Sequence, residues 1–389
     1  MIPLLSGLVL LAAGPPSVAP PPTPDARPAP IVVPDPPLGR LLSLPPGYAA
    51  LEVEAAVGVD TGPARSALDR VVDRARRDRR RWRTTEDALR SVAAATAGVC
   101  TRVQAGDADQ LYSDALAAGV CDCDVLVVTY LTVADELDLP LQAAFLPGHV
   151  LVTWDDGAER RYWETTDGSA RPAWSIEALV PEGADGAYLR PQSRAEILGH
   201  LVGVRATYRH HRGDWEGASA DYDLAARLNP TYALTFSNRG RARLLAEAWD
   251  GAVDDFGRAL ALDPTLGDAR YGRAVAHLGA GRPRAAVPDF DRVIRQEGAP
   301  DAYYGRGVAR AALGDDEGAR EDFAAALEGG DPHVLAHFQL GKLYERGGDV
   351  ARARASYAAF LAAALGPGYD VETDEARRRL AHLGQPPGR

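Results

Sequence analysis

Between about residue 197 and residue 366 the chain repeats itself. Ala218, Ala252, Ala286, Ala319 and Ala353 follow one another at intervals of 34, 34, 33 and 34 residues. An aromatic residue stands four positions after each of them: Tyr222, Phe256, Phe290, Phe323 and Tyr357. Gly213, Gly281, Gly314 and Gly348 each lie five positions before one of those alanines, and Pro230, Pro264 and Pro332 close repeats. A unit this short cannot enclose a core alone and is stabilised by stacking on its neighbours. Small residues at fixed positions let two helices approach closely, and Gly and Pro punctuate the turns between them. The period therefore predicts an all-α solenoid of helix pairs.

The spacing is that of the tetratricopeptide pattern. It assigns five repeats to residues 196–366. Residues 367–389 are left as a C-terminal capping helix and tail, in which the polar stretch Asp374–Leu383 suits a solubilising cap. Arg205, Arg239, Arg273 and Arg306 take equivalent places in the first helix of four repeats, and Asp221, Asp255, Asp289 and Asp322 follow 16 residues later. The fifth repeat replaces both partners, with Leu340 and Ser356. Joint gain and loss predicts an Arg–Asp contact within each repeat. The rival reading is an arginine ladder for an acidic ligand. His210 and His211 are expected at a solvated helix end.

The rest of the chain differs. Residues 15–46 hold 13 of the 29 prolines and read as an extended linker. Before them, residues 2–13 are apolar but too short to span a bilayer. With Ser17-Val18-Ala19 as a small-residue cleavage site, residues 1–19 form a candidate signal peptide, followed by a Pro-rich linker over 20–44. That predicts an exported protein, periplasmic or extracellular, or a cytoplasmic one if the segment is not a signal. No later stretch reads as a membrane span, so an integral membrane protein is not expected. A net charge of −11 argues against nucleic acid as the partner. The basic run Arg74–Arg83 reads as the solvated end of a helix. Lys342 is the only lysine in the chain.

Residues 45–195 predict an α+β domain. Residues 49–95 and 111–137 look helical, the latter interrupted at Gly119, with Asp124 as the cap of a helix beginning near Val125. His149–Trp154 alternates like a strand, Asp155-Asp156-Gly157 signals a hairpin, and Glu159–Glu164 returns. In this order a thiol, Cys123, stands near a helix start, a histidine, His149, lies on a strand, and a carboxylate, Glu164, lies on the next strand. Such an order can build a nucleophile, a base and the group that orients the base. The dipole at a helix start favours a thiolate. The flanking Asp122 and Asp124 oppose one unless they turn away. Asp167 is the alternative acid. Of the three cysteines, Cys100 and Cys121 could pair in an oxidising compartment and leave Cys123 free, but the sequence does not fix that pairing. A zinc site from Cys100, Cys121, Cys123 and His149 matches no standard spacing, and neither a metal nor a cofactor is expected.

The segment Cys123–Pro140 resembles the nucleophile helix of the transglutaminase-like superfamily, in which a Cys opens a helix that ends in a Leu-Gly-Leu-Pro-type turn. Asp138 stands here at the Gly position. Phe145–Val152 is similar to the strand carrying that family's His, and Trp163-Glu164-Thr165-Thr166 to the strand carrying its acid, usually Asp. The closest likeness is to a bacterial branch in which such a core precedes tetratricopeptide repeats. The resemblance implies a papain/transglutaminase-like fold followed by an all-α tetratricopeptide solenoid, with Cys123, His149 and Glu164 as catalytic residues. The family's Cys lies 17 residues before the turn Pro, which selects Cys123 over Cys121. Two functions follow as expectations. One is thiol-dependent acyl transfer or amide hydrolysis on a protein or peptide, with the repeats binding a partner. The other is a catalytically inactive domain in a protein-interaction scaffold.

Overall fold

A computed structural model describes residues 36–104, 110–155, 160–181, 188–328, 333–364 and 369–384. The candidate signal, most of the Pro-rich linker, the hairpin tip at Asp156-Gly157 and Pro332 lie outside these residues. The chain is mostly helical, with tetratricopeptide helix pairs and a small N-terminal region that includes a four-stranded antiparallel sheet. It divides into two compact units. The first takes the described residues up to Arg239 with Ala261–Thr265, and the second takes Gly240–Leu260 and everything from Leu266 onward.

In the first unit come α1 (Leu38–Ser43), α2 (Pro46–Ala55), α3 (Gly62–Asp78) and α4 (Thr85–Thr96). The 3-10 turn Arg79–Arg81 continues α3 and is exposed, so the basic run is a solvated helix end. Next are β1 (Arg102–Val103), α5 (Tyr112–Ala118), β2 (Val120–Cys121) and α6 (Cys123–Leu137). The sheet follows as β3 (Leu141–Leu146), β4 (His149–Asp155), β5 (Arg160–Glu164) and β6 (Ser169–Arg171), paired in that order. After α7 (Ala173–Glu177), α8 (Arg194–His211) and α9 (Trp215–Leu228) make the first repeat, and α10 (Ala233–Leu245) begins the second.

Helix α6 is apolar on all sides, and every residue from Val125 to Ala134 is buried. It packs against α2 and α3 and against β3 and β4. The helix begins at Cys123 rather than near Val125. The residue with extended, non-helical backbone is Asp122, and its carboxylate accepts the Val125 N–H at 2.9 Å. Asp122, not Asp124, is therefore the cap, because a capping side chain reaches the amide three residues ahead. The helix ends at Asp138 in the left-handed region, φ 53°. Just upstream of α6, a disulfide joins Cys100 to Cys121, and β1 pairs in parallel with β2 beside it.

The second unit continues with α11 (Trp249–Leu262), α12 (Gly267–Gly279) and α13 (Pro283–Glu297). Then come α14 (Pro300–Leu313), α15 (Asp316–Ala325), α16 (Leu335–Arg346), α17 (Val350–Ala363) and α18 (Asp370–Leu383). The repeat's small residues have a steric cause. A Cβ on Gly341 would come 2.6 Å from the Tyr357 ring, and one on Gly307 would come 2.7 Å from Phe323. The turn glycines Gly213, Gly281, Gly314 and Gly348 have φ between 71° and 83°. The second repeat has Glu247 at that place and adopts the same conformation, φ 56°.

The Arg–Asp contacts form as bidentate pairs in three repeats. Arg205 holds Asp221 at 2.8 and 2.5 Å, Arg273 holds Asp289 at 2.7 and 2.7 Å, and Arg306 holds Asp322 at 3.0 and 2.6 Å. One turn further along the same helix a second arginine joins: Arg243 reaches Asp255 at 2.8 Å, and Arg209 and Arg310 reach Asp221 and Asp322 at 3.0 Å each, while Arg239 also reaches Asp223 at 2.8 Å. The aspartates are buried to within a few per cent, so these are structural pairs rather than a free ladder. His210 is also buried, with its ring 4.6 Å from Trp215, and only His211 is at a solvated end.

Candidate active site

The histidine is delivered by a tight turn. Pro147-Gly148 joins β3 to β4 with Leu146 opposite His149, and Gly148 takes φ 65°, as a turn with Pro before Gly requires. The imidazole thus projects from the first residue of β4. Register brings the acid to it. Val152 pairs with Trp163, so Glu164, the next residue of β5, is a diagonal neighbour of His149 on the same face.

His149 Nε2 lies 2.7 Å from Glu164 Oε2. The other carboxylate oxygen, Oε1, accepts the Thr166 N–H at 3.0 Å and the Thr166 hydroxyl at 2.6 Å. Burial opposes the charge on Glu164, but the bonds from His149 and Thr166 prevail and bring its pKa down to about 2. On the imidazole, hydrogen bonding to the Cys123 thiol and then to Glu164 overcomes burial and raises the pKa to about 10. Since Nε2 faces Glu164, Nδ1 is the nitrogen left for the thiol. Asp167 pairs instead with Arg171 and Ser169 and makes no bond to His149.

Cys123 is the first residue of α6, partly buried, and the one free cysteine among the described residues. The N–H groups of Cys123 and Asp124 lie in the first helical turn, where the helix itself offers no acceptor, and neither has a partner among the described residues. They are two backbone donors beside the sulfur, suited to a developing oxyanion. Sequence alone named no such donor, because it started the helix two residues late. The flanking carboxylates are both engaged: Asp122 caps the helix, and Asp124 Oδ1 lies 3.5 Å from His200 Nε2. Beside the acid, a cleft of about 330 Å³ is lined by Ala93, Leu126, Tyr130, Thr165, Thr166 and Gly168.

His200 and Tyr232 were not anticipated. His200 is on α8, and Tyr232 immediately precedes α10. Their rings lie 5.3 Å apart, and Phe145 on β3 touches both, at 5.4 and 4.7 Å. Burial, then the charges of Asp124, Tyr188 and Cys123, raise the Tyr232 phenol well above its ordinary range. Nothing in the local sequence marks either residue, since each meets the site only through the fold.

A second concavity lies within the repeats of the other unit. It is about 680 Å³, with Leu278, Val308, Ala312 and Leu343 as apolar lining and Lys342 and Arg379 as polar lining. The Lys342 ammonium sits 5.4 Å over the Phe338 ring, and burial lowers its pKa.

The tetratricopeptide repeat family model matches residues 271–333 and 317–370. The C-terminal half of the chain carries tetratricopeptide repeats. Among solved structures, the chain is similar to YrrB, described as a TPR protein with an unusual peptide-binding site. That likeness has 21% identity and TM-score 0.39, over 46% of this chain and 91% of that one. It is also similar to MamA 41-end from Desulfovibrio magneticus RS-1, at 18% identity and TM-score 0.38, over 48% and 97%. A third is a thermophilic TPR protein of Thermus thermophilus, at 19% identity and TM-score 0.37, over 48% and 98%. No curated protein matches the chain. The repeats suggest protein or peptide binding. Among the described residues no helix is long and apolar enough to cross a membrane.

Proposed function

We propose that the N-terminal region is a papain/transglutaminase-like domain, over about residues 45–195, that performs thiol-dependent acyl transfer or amide hydrolysis on a peptide or protein. The observation that carries this reading is the 2.7 Å contact of His149 Nε2 with Glu164 Oε2, in an imidazole whose pKa the Cys123 thiol and Glu164 raise to about 10. Cys123 attacks the amide carbonyl carbon as its proton passes to His149. The C–N bond breaks, His149 returns the proton to the leaving amine, and a thioester remains on Cys123. Water or a primary amine then attacks the thioester, again through His149, and the C–S bond breaks. Glu164 holds the imidazole orientation and stabilises its charged form.

The repeats, over about 196–366, present a peptide or protein partner along the apolar cavity that holds Lys342. Export to the periplasm or beyond is part of the same reading. The Cys100–Cys121 disulfide supports it, since such bonds persist in oxidising compartments.

Carboxymethylation of Cys123 by iodoacetamide as a function of pH tests the catalytic part. The midpoint of the wild-type chain is expected to lie below that of His149→Ala, because the imidazole is the group that takes the thiol proton. A midpoint that His149→Ala leaves unmoved would overturn the catalytic reading. It would leave an inactive domain in a binding scaffold.

A further inference from the structure

Behind the first turn of α6 lies a cavity of about 110 Å³, lined by Glu54 from α2, Tyr112 from α5, Asp122, Asp124 and Val128 from α6, and His200 from α8. None of these side chains takes part in the acyl-transfer steps. Three carboxylates stand around one imidazole. Glu54 is already satisfied, since it accepts the N–H groups of Tyr112 and Ser113 at 2.7 and 2.9 Å, and Asp122 accepts from Val125. Asp124 is the residue next to the thiol, and His200 Nε2 at 3.5 Å is its cationic neighbour.

We infer that His200, contributed by the first tetratricopeptide repeat, is a positioning residue for the Cys123 nucleophile, acting through Asp124. The inference rests on the catalytic reading above. An uncompensated carboxylate on the residue after the nucleophile would disfavour a thiolate and draw the His149 proton toward the wrong partner. The imidazolium of His200, 3.5 Å from the Asp124 carboxylate, offsets that charge.

The surroundings keep His200 in that role. Its ring is 8% exposed and is packed between Phe145 and Tyr232. The charged or titratable groups that face it are Asp124 and Asp122 on α6, Glu54 on α2, Tyr112 on α5 and Tyr232 before α10. Burial alone would hold His200 neutral. The charge of Asp124, 3.5 Å away, and that of Asp122 outweigh burial and raise the pKa. Burial opposes the charge on Asp124 as well, but His200, and after it His149, outweigh burial and the carboxyl pKa moves down. The first repeat is then more than a binding unit, because the catalytic helix depends on it for charge balance.

The test is the pH profile of Cys123 carboxymethylation in the full-length chain. His200→Gln, checked for folding by circular dichroism, is expected to raise the midpoint by about 1 pH unit, the low end of what one neighbouring charge does. Adding Asp124→Asn to that variant is expected to return the midpoint to the wild-type value. A midpoint unmoved in folded His200→Gln, or a shift that persists in the double variant, would overturn the inference. Should His200→Gln not fold, histidine NMR of the wild-type chain decides: His200 is expected to be protonated at pH 7, and a neutral ring there overturns the proposal. A midpoint that rises in His149→Ala but ignores His200→Gln would sink only this inference. A midpoint indifferent to His149 would sink the catalytic reading itself.

Discussion

Glu164 meets His149 with one oxygen and Thr166 with the other, so its carboxylate is fully engaged at the end of β5, where the chain turns toward β6. The division of labour fixes both rotation and charge. A carboxylate tied by Thr166 cannot swing away when the imidazole loses its proton, and Nε2 stays committed to it.

The engagement sets an acid limit. The carboxyl pKa is lowered to about 2 from its ordinary 4.5. A depressed carboxyl contributes stability that is complete above the unfolded value and is lost as pH falls through the folded one. Urea midpoints of the wild-type chain and Glu164→Gln should therefore differ at pH 7, and the gap should close between pH 4.5 and about pH 2. A gap that stays constant over that range would show that the carboxylate charge has no part in it.

The repeat pairs predict a coupling. Arg273→Ala leaves Asp289, which is 6% exposed, without its bidentate partner. The single change should cost more than the double change Arg273→Ala with Asp289→Ala, with a coupling of about 1 kcal/mol in a denaturation cycle. Additive effects would mean that the pair is not an energetic unit.

The cysteines predict a thiol count. Denatured without reductant, the chain should expose one reactive thiol, Cys123, and after reduction three, since Cys100 and Cys121 are bonded. The closed loop spans a sequence separation of 21 residues. Replacing both bonded cysteines with Ala should destabilise the fold by about 3 kcal/mol, the loop-closure value for that length. Three free thiols without reductant would remove the bond from the account.

The odd turn predicts a stabilising substitution. Glu247 carries a side chain at φ 56°, where the matching turns have Gly. Left-handed backbone costs a residue with a Cβ about 1–2 kcal/mol, and the greater unfolded-state freedom of Gly returns about 0.5–1 kcal/mol of that. Glu247→Gly should gain about 0.5–1 kcal/mol by the difference. A variant of equal or lower stability would mean that Glu247 is held there by contacts worth more than the strain.

The repeats were legible because their signal is local and recurs. Small residue, aromatic and turn residue are each set by the shape of one helix hairpin, and five copies repeat it. The order of Cys123, His149 and Glu164 was legible too, because each stands at the end of an element, where chain order and position in space still agree. Their catalytic role remains a proposal. The start of α6 was misread because Asp122 and Asp124 are equally good caps in composition, and only backbone geometry at Asp122 chooses between them. Asp138 could be flagged as the departure from a glycine turn. Its left-handed φ of 53° shows why Asp is tolerated there, as its short polar chain is among the few that accept that region. His200 and Tyr232 were invisible, since packing of the first repeat onto β3 depends on contacts far apart in sequence.

Lys342 is the chain's only lysine, and it lines the repeat cavity. Apart from the α-amine, an amine-directed fluorophore or spin label has one address on this molecule, and that address is in the groove. Protection of a single side chain from acylating reagents would therefore report groove occupancy directly, with no background from other lysines and without engineering the protein.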